Sequence, residues 1–182
     1  MVGGVADAVV IPGAMFGPAA GLLAYAAAVP ERRAVTVHRH WWSQPPADPF
    51  QPDIQDWVRD EISPLLDAVG GTPMLIAKSL GSNAAAVAAE RHLPAVWLTP
   101  ILTVPWVTAA LNRATAPFLL VGGTADAMWD TTLASRLSPY LLEIDGADHG
   151  LFVPGPLTNS IAVLGRLVTA MEEFMDAIGW SA

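Results

Sequence analysis

The 182-residue chain has no cysteine, which excludes a disulfide framework, a thiolate nucleophile and any cysteine-ligated metal. Its four histidines are scattered, so no metal site is expected from the sequence. Charge is scarce as well. Charged residues make up 14% of the chain, nine Lys and Arg stand against seventeen acids, and the net charge is −8. Without a basic cluster, that balance argues against a nucleic-acid partner. Although 53% of residues are hydrophobic, no window approaches the roughly 18 uninterrupted apolar residues of a membrane span. The chain therefore reads as soluble, without membrane insertion. The opening residues Met1 to Asp7 carry no basic run, and Asp7 interrupts their short apolar stretch. The expectation is a cytoplasmic protein.

What the sequence does have is alternation. Short apolar runs fall at Ala8 to Ile11, Ala34 to His38, Met74 to Ala77, Ala95 to Leu98, Phe118 to Val121 and Tyr140 to Ile144. Helix-like segments lie between them: Ala19 to Ala28, an amphipathic stretch through Ile54, Val58, Ile62, Leu65 and Val69, and the alanine-rich Ser82 to Arg91. Pro64 is expected to kink or divide the second of these. Ile161, Leu164, Val168, Met171, Met175 and Ile178 recur at intervals of three and four, which predicts a C-terminal helix burying that stripe. No repeat or interdomain linker interrupts the pattern. Its reading is an α/β protein, a three-layer α/β/α sandwich around a mostly parallel sheet of about six strands, forming one domain over 1–182.

In such sheets chemistry collects where strands end. The third apolar run stops at Ser79, in Ala77-Lys78-Ser79-Leu80-Gly81, and passes directly into a helix. A serine on a tight strand-to-helix turn exposes its hydroxyl, and small residues two before and two after let neighbouring backbone come close. After the first strand comes Pro12-Gly13-Ala14-Met15-Phe16-Gly17, after the fifth Gly122-Gly123-Thr124-Ala125-Asp126-Ala127-Met128-Trp129-Asp130, and after the sixth Gly146-Ala147-Asp148-His149-Gly150. Serine, acid and histidine thus occur in that order, each at a strand end.

In this order and placement the sequence resembles the α/β-hydrolase family, over essentially its whole length. Gly123-Thr124-Ala125-Asp126 with Trp129-Asp130 is similar to the family's acid loop, and Asp148-His149-Gly150 to its histidine loop. The elbow carries Ala77 where the usual Gly-x-Ser-x-Gly begins with glycine, and the first loop reads Pro12-Gly13-Ala14 in place of a His-Gly start. The resemblance implies a minimal form of the fold with no cap domain and an open site, because only Pro100 to Ala116 separate the fourth and fifth strands. It further implies Ser79 as nucleophile, His149 as base and Asp126 as the acid that orients it. The oxyanion donors would be the backbone amides of Leu80 and of Ala14 or Met15. No cofactor is implied.

The reaction expected is cleavage of a small to medium apolar carboxylic ester through an acyl-enzyme. A thioesterase or acyltransferase would use the same groups, peptidase and amidase activity stay open, and a non-catalytic ligand-binding member of the fold is the alternative from another class. Each residue also has a structural reading. Ser79 could simply cap the following helix. Asp130 reads as a helix cap and Asp145 as a turn residue, and Asp148 is a further rival to Asp126. His38 and His40 precede the acid, and His92 follows a helix. Lys78 could raise the potential beside Ser79, although reaching solvent from the strand end is the favoured reading. Phe16, Trp41, Trp42, Met128, Trp129 and Leu151 could line a pocket for the acyl or alcohol group, as could Met15, Trp106 and Phe152. The same side chains could instead cover sheet edges or lie beneath the loop Pro45 to Pro49. Exposed tryptophans leave a homodimer open.

Overall fold

The computed structural model describes residues 6–44, 48, 50, 51 and 53–180. The N-terminal reading of Met1 to Val5 and most of the Pro45 to Pro49 loop lie outside them. Six strands alternate with helices: β1 (Asp7–Ile11), α1 (Leu22–Glu31), β2 (Thr36–Arg39), α2 (Ile54–Val69), β3 (Met74–Lys78), a 3-10 segment (Ser79–Ala84) running into α3 (Ala85–Arg91), β4 (Ala95–Leu98), α4 (Pro105–Arg113), β5 (Phe118–Gly123), α5 (Thr131–Leu137), β6 (Tyr140–Ile144) and α6 (Leu157–Ala177). All strand pairs are parallel, in the order β2-β1-β3-β4-β5-β6.

The continuous apolar runs of β1, β3, β4 and β5 follow from burial on both faces. Val9, Ile11, Leu75, Ala77, Trp97 and Leu120 face the layer of α2, α3, α4 and α5. Their neighbours Ala8, Val10, Ile76, Val96 and Val121 face α1 and α6. The alternation of side chains along each strand thus builds two apolar layers around one sheet. The edge strands β2 and β6 are mostly only part-buried.

Two expectations require correction. Helix α2 runs undivided through Pro64. Pro64 and Asp60, whose carbonyl loses its helical donor there, both lie on the exposed side, while Ile54, Val58, Ile62 and Leu66 bury the opposite face. Water can satisfy that carbonyl, and the buried face keeps the helix in one piece. In α6 the core stripe is Ser160, Val163, Leu167, Met171 and Phe174, with Met175 beside it, whereas Ile161 is exposed and Leu164 and Val168 are part-buried. The apolar band of this helix is wider than one stripe, and packing on α1 and the sheet selects its centre.

The chain order reverses between β1 and β3, with β2 placed outside β1. In an open parallel sheet the carboxyl ends flanking such a reversal leave a crevice. The loop after β1 and the elbow after β3 meet there.

Candidate active site

Strand β3 delivers Ser79 in a left-handed backbone conformation, with φ of 51°. A non-glycine residue held there is strained, and such strain persists only where its surroundings fix it. Those surroundings are visible. Ser82 Oγ donates to the Ser79 carbonyl at 2.6 Å and accepts from the Ile101 amide at 3.2 Å, and Asn83 Nδ2 donates to the Leu80 carbonyl at 2.9 Å. Trp106 Nε1 in turn donates to Asn83 Oδ1 at 2.8 Å. Ser82 and Asn83 are buried, so they clamp the turn from beneath. A Cβ at Gly81 would lie 2.9 Å from the Ile11 carbonyl oxygen and 3.1 Å from that of Pro12. Only glycine lets the elbow approach the end of β1 so closely.

His149, after β6, reaches back to the serine with Nε2 at 2.8 Å from Ser79 Oγ. Its Nδ1 lies 2.7 Å from Asp126 Oδ2. The Asp126 side chain is almost wholly buried and that of His149 is 39% exposed, so the carboxylate is shielded while the imidazole remains open to a reactant. The second carboxylate oxygen, Oδ1, accepts from the Met128 amide at 2.9 Å. With both oxygens engaged, Asp126 has one orientation. The rival acids have other partners. Asp130 caps α5 by accepting from the Leu133 amide, Asp145 accepts from Thr124 Oγ1, and Asp148 Oδ1 accepts from the amides of Gly150 and Phe152. Asp148 therefore shapes the turn that carries His149 without touching its ring.

The acid and histidine loops are packed backbone to backbone. A Cβ at Gly123 would fall 2.2 Å from the Ala147 carbonyl oxygen, and the Ala125 amide donates to that same oxygen at 3.0 Å. Across the crevice, a Cβ at Gly13 would touch Ser79 Cβ at 3.5 Å. The loop after β1 therefore passes beside Ser79 at Gly13. Leu80 is the second residue of the 3-10 segment that Ser79 opens, in the first turn, where a backbone amide has no partner within the helix.

Lys78 does not run out to solvent. Its Nζ donates to Thr99 Oγ1 and to the His149 carbonyl, each at 3.2 Å. Burial pushes its pKa below the ordinary lysine value, against the pull of Asp126 and Asp148. The cation thus ties the backbone of His149 to the end of β4.

No family model matches the chain, and no curated protein matches its sequence. Solved structures do match. Est1E from Butyrivibrio proteoclasticus, solved with ferulic acid bound, superposes with a TM-score of 0.71 at 14% identity over 93% of this chain and 88% of its own. A lidless α/β serine hydrolase from Xanthomonas campestris gives 0.65 at 18% identity, over 94% and 81%. A monoacylglycerol lipase from Paleococcus ferrophilus gives 0.62 at 15%, over 90% and 94%. The chain has the α/β-hydrolase fold.

Within this α/β-hydrolase fold, the side chains expected to line a pocket divide into three groups. Met15, Phe16, Trp41 and Phe152 are exposed on the loops at the carboxyl edge, by 86%, 70%, 63% and 56%. Trp42, Trp106 and Met128 are part-buried against the core. Trp129 and Leu151 correct the expectation, because both are core residues. Trp129 lies over Gly122 with Nε1 donating to Glu143 at 2.7 Å, and Leu151, 2% exposed, faces the layer of α1 and α6. Each follows a turn that directs its side chain inward, which loop position alone does not reveal. The spare histidines stand apart: His38 bonds Asp7, His40 lies beside Glu61, and His92 ends α3 beside Thr115. The polar clamp of Ser82 and Asn83 was not legible as such. Its one sequence signal is the pair of polar residues opening an otherwise alanine-rich helix.

Proposed function

We propose that the protein is a serine hydrolase that cleaves small to medium apolar carboxylic esters through an acyl-enzyme on Ser79. The observation that carries this reading is the unbroken chain of contacts from buried Asp126 through His149 to Ser79 Oγ, at 2.7 and 2.8 Å. A neutral hydroxyl is a poor nucleophile until its proton is removed. As Ser79 Oγ attacks the ester carbonyl, His149 Nε2 takes that proton and Asp126 stabilises the imidazolium. The carbonyl oxygen becomes an oxyanion facing the amides of Leu80 and of Ala14 or Met15. Collapse expels the alcohol, which takes the proton from His149. Water, deprotonated by the same imidazole, then releases the acid and restores Ser79.

The apolar rim of Met15, Phe16, Trp41 and Phe152 favours an uncharged substrate, with apolar groups on one or both sides of the ester. The ferulic acid bound to Est1E is an aromatic acid, and a rim of this composition suits an acyl group of similar character. The decisive experiment compares wild type with Ser79→Ala on p-nitrophenyl esters of increasing acyl length. Turnover should fall more than about a thousandfold in the variant, and a fluorophosphonate should label wild type alone. A wild type that neither turns over esters nor accepts the label removes this reading and leaves a binding protein as the better one.

A further inference from the structure

We propose that Trp42 is a positioning residue for the oxyanion loop: its indole N–H holds the Gly13 carbonyl and so aims the Ala14 amide toward the substrate oxygen. The inference rests on the hydrolase reading above and assigns Trp42 a role other than lining a pocket. Trp42 Nε1 donates to the Gly13 carbonyl oxygen at 3.2 Å in a part-buried setting. In a trans peptide the carbonyl and the following N–H point in opposite directions. Fixing the Gly13 oxygen on the Trp42 side therefore turns the Ala14 N–H away from Trp42. Gly13 itself lies against Ser79, so this peptide borders the reacting centre. Among the described residues, the indole is the only hydrogen-bond partner of residues 13–16. Met15 and Phe16, with their side chains in solvent, offer no anchor of their own.

The anchor is itself held. The Trp42 ring meets His40 edge-on at 4.6 Å and Trp57 of α2 at 4.8 Å. Glu61, also on α2, accepts from the Ser43 amide at 3.0 Å and from its hydroxyl, and lies 3.3 Å from His40 Nε2. A single carboxylate thus grips Ser43, directly after the tryptophan, and stands beside His40, two residues before it. Burial raises the Glu61 pKa, yet the Ser43 hydrogen bonds and His40 outweigh it and hold the group below its ordinary value. It remains an acceptor at neutral pH. Such a seat suits an oxyanion donor, whose worth depends on orientation before the charge appears.

Trp42→Phe keeps a ring between His40 and Trp57 and deletes the donor. With p-nitrophenyl butyrate, kcat should fall about tenfold or more while KM stays within about twofold, since removing an oxyanion donor outright costs about 10²–10³ in kcat. Inhibition by phenylboronic acid, whose serine adduct is tetrahedral and anionic, should weaken in proportion. Trp57→Phe changes the same aromatic group but leaves the bond in place, and should move kcat far less. If Trp42→Phe does not fold, Glu61→Gln should give the same kcat-selective loss in smaller measure by loosening Ser43. A raised KM with kcat retained would make Trp42 a pocket wall and overturn the proposal, as would equal losses in the two tryptophan variants. A wild type without turnover or label would overturn the hydrolase reading and this one with it. An active wild type with an unaffected Trp42→Phe would overturn this one alone.

Discussion

At the scale of single residues, four carboxylates compete for one role, and their hydrogen bonds separate them. Asp126 has both oxygens engaged, one on His149 and one on the Met128 amide, in a buried position. Asp130 is exposed and engages the first turn of α5. Asp126→Asn should therefore lower kcat by about 10²–10⁴, because the amide favours the wrong imidazole tautomer. The fold should survive, since asparagine keeps the shape and still accepts from Met128. Asp130→Asn should leave kcat near wild type and change stability by less than about 1 kcal/mol, as asparagine is itself a good cap. Ester kinetics with thermal melts on both variants would check this, and the opposite pattern would move the acid to Asp130. The assignment of Asp130 as a cap was legible beforehand from Thr131-Thr132-Leu133-Ala134. The part played by Lys78 was not, since a lysine at a strand end usually reaches water and this one turns inward to Thr99 and the His149 carbonyl.

At the scale of elements, the elbow stores strain. Ser79 has a positive φ, a region that a side chain makes unfavourable by about 1–2 kcal/mol and glycine occupies freely. Ser79→Gly and Ser79→Ala should both be inactive, yet the glycine variant should unfold at higher denaturant, by about 1 kcal/mol relative to alanine. Equal stabilities would mean that the turn is relaxed. The elbow also explains why part of the site could be read from sequence. Gly81 meets the backbone of Ile11 and Pro12, so its identity is dictated. Two residues before the serine, Ala77 is fully buried with its methyl group in the core. That position needs to be small, not bare, which is why an imperfect motif still marks the turn. The strands were legible because runs buried on both faces are short, apolar and bounded by turn residues. The buried stripe of α6 was not, because Val163, Leu167 and Phe174 alternate with other apolar residues and only the partner surface decides between them. The inward turns of Trp129 and Leu151 escaped for a similar reason: the preceding backbone sets them, not the residue type.

At the scale of the whole molecule, the parallel order of the sheet brings three loops distant in sequence to one edge, where Ser79, His149 and Asp126 converge. The field in which that edge sits is acidic, with a net charge of −8. Several of the nine Lys and Arg are spent on local partners. Arg33, Arg39, Arg59 and Arg91 each pair with a carboxylate, and Lys78 is turned inward. An anionic substrate should therefore be repelled on approach, over distances that salt screens: the Debye length shortens from about 30 Å at 0.01 M to about 10 Å at 0.1 M. For a p-nitrophenyl ester whose acyl chain ends in a carboxylate, kcat/KM should rise as salt is raised across that range. For the neutral ester of equal length it should stay nearly flat, because no net charge is being steered. Comparing the two esters cancels any general effect of salt on the fold or on the chemistry. If the anionic ester instead slowed with added salt, approach would be governed by a local cation, with Lys78 beside Ser79 the first candidate, and the overall charge would have no hold on the mouth of the site.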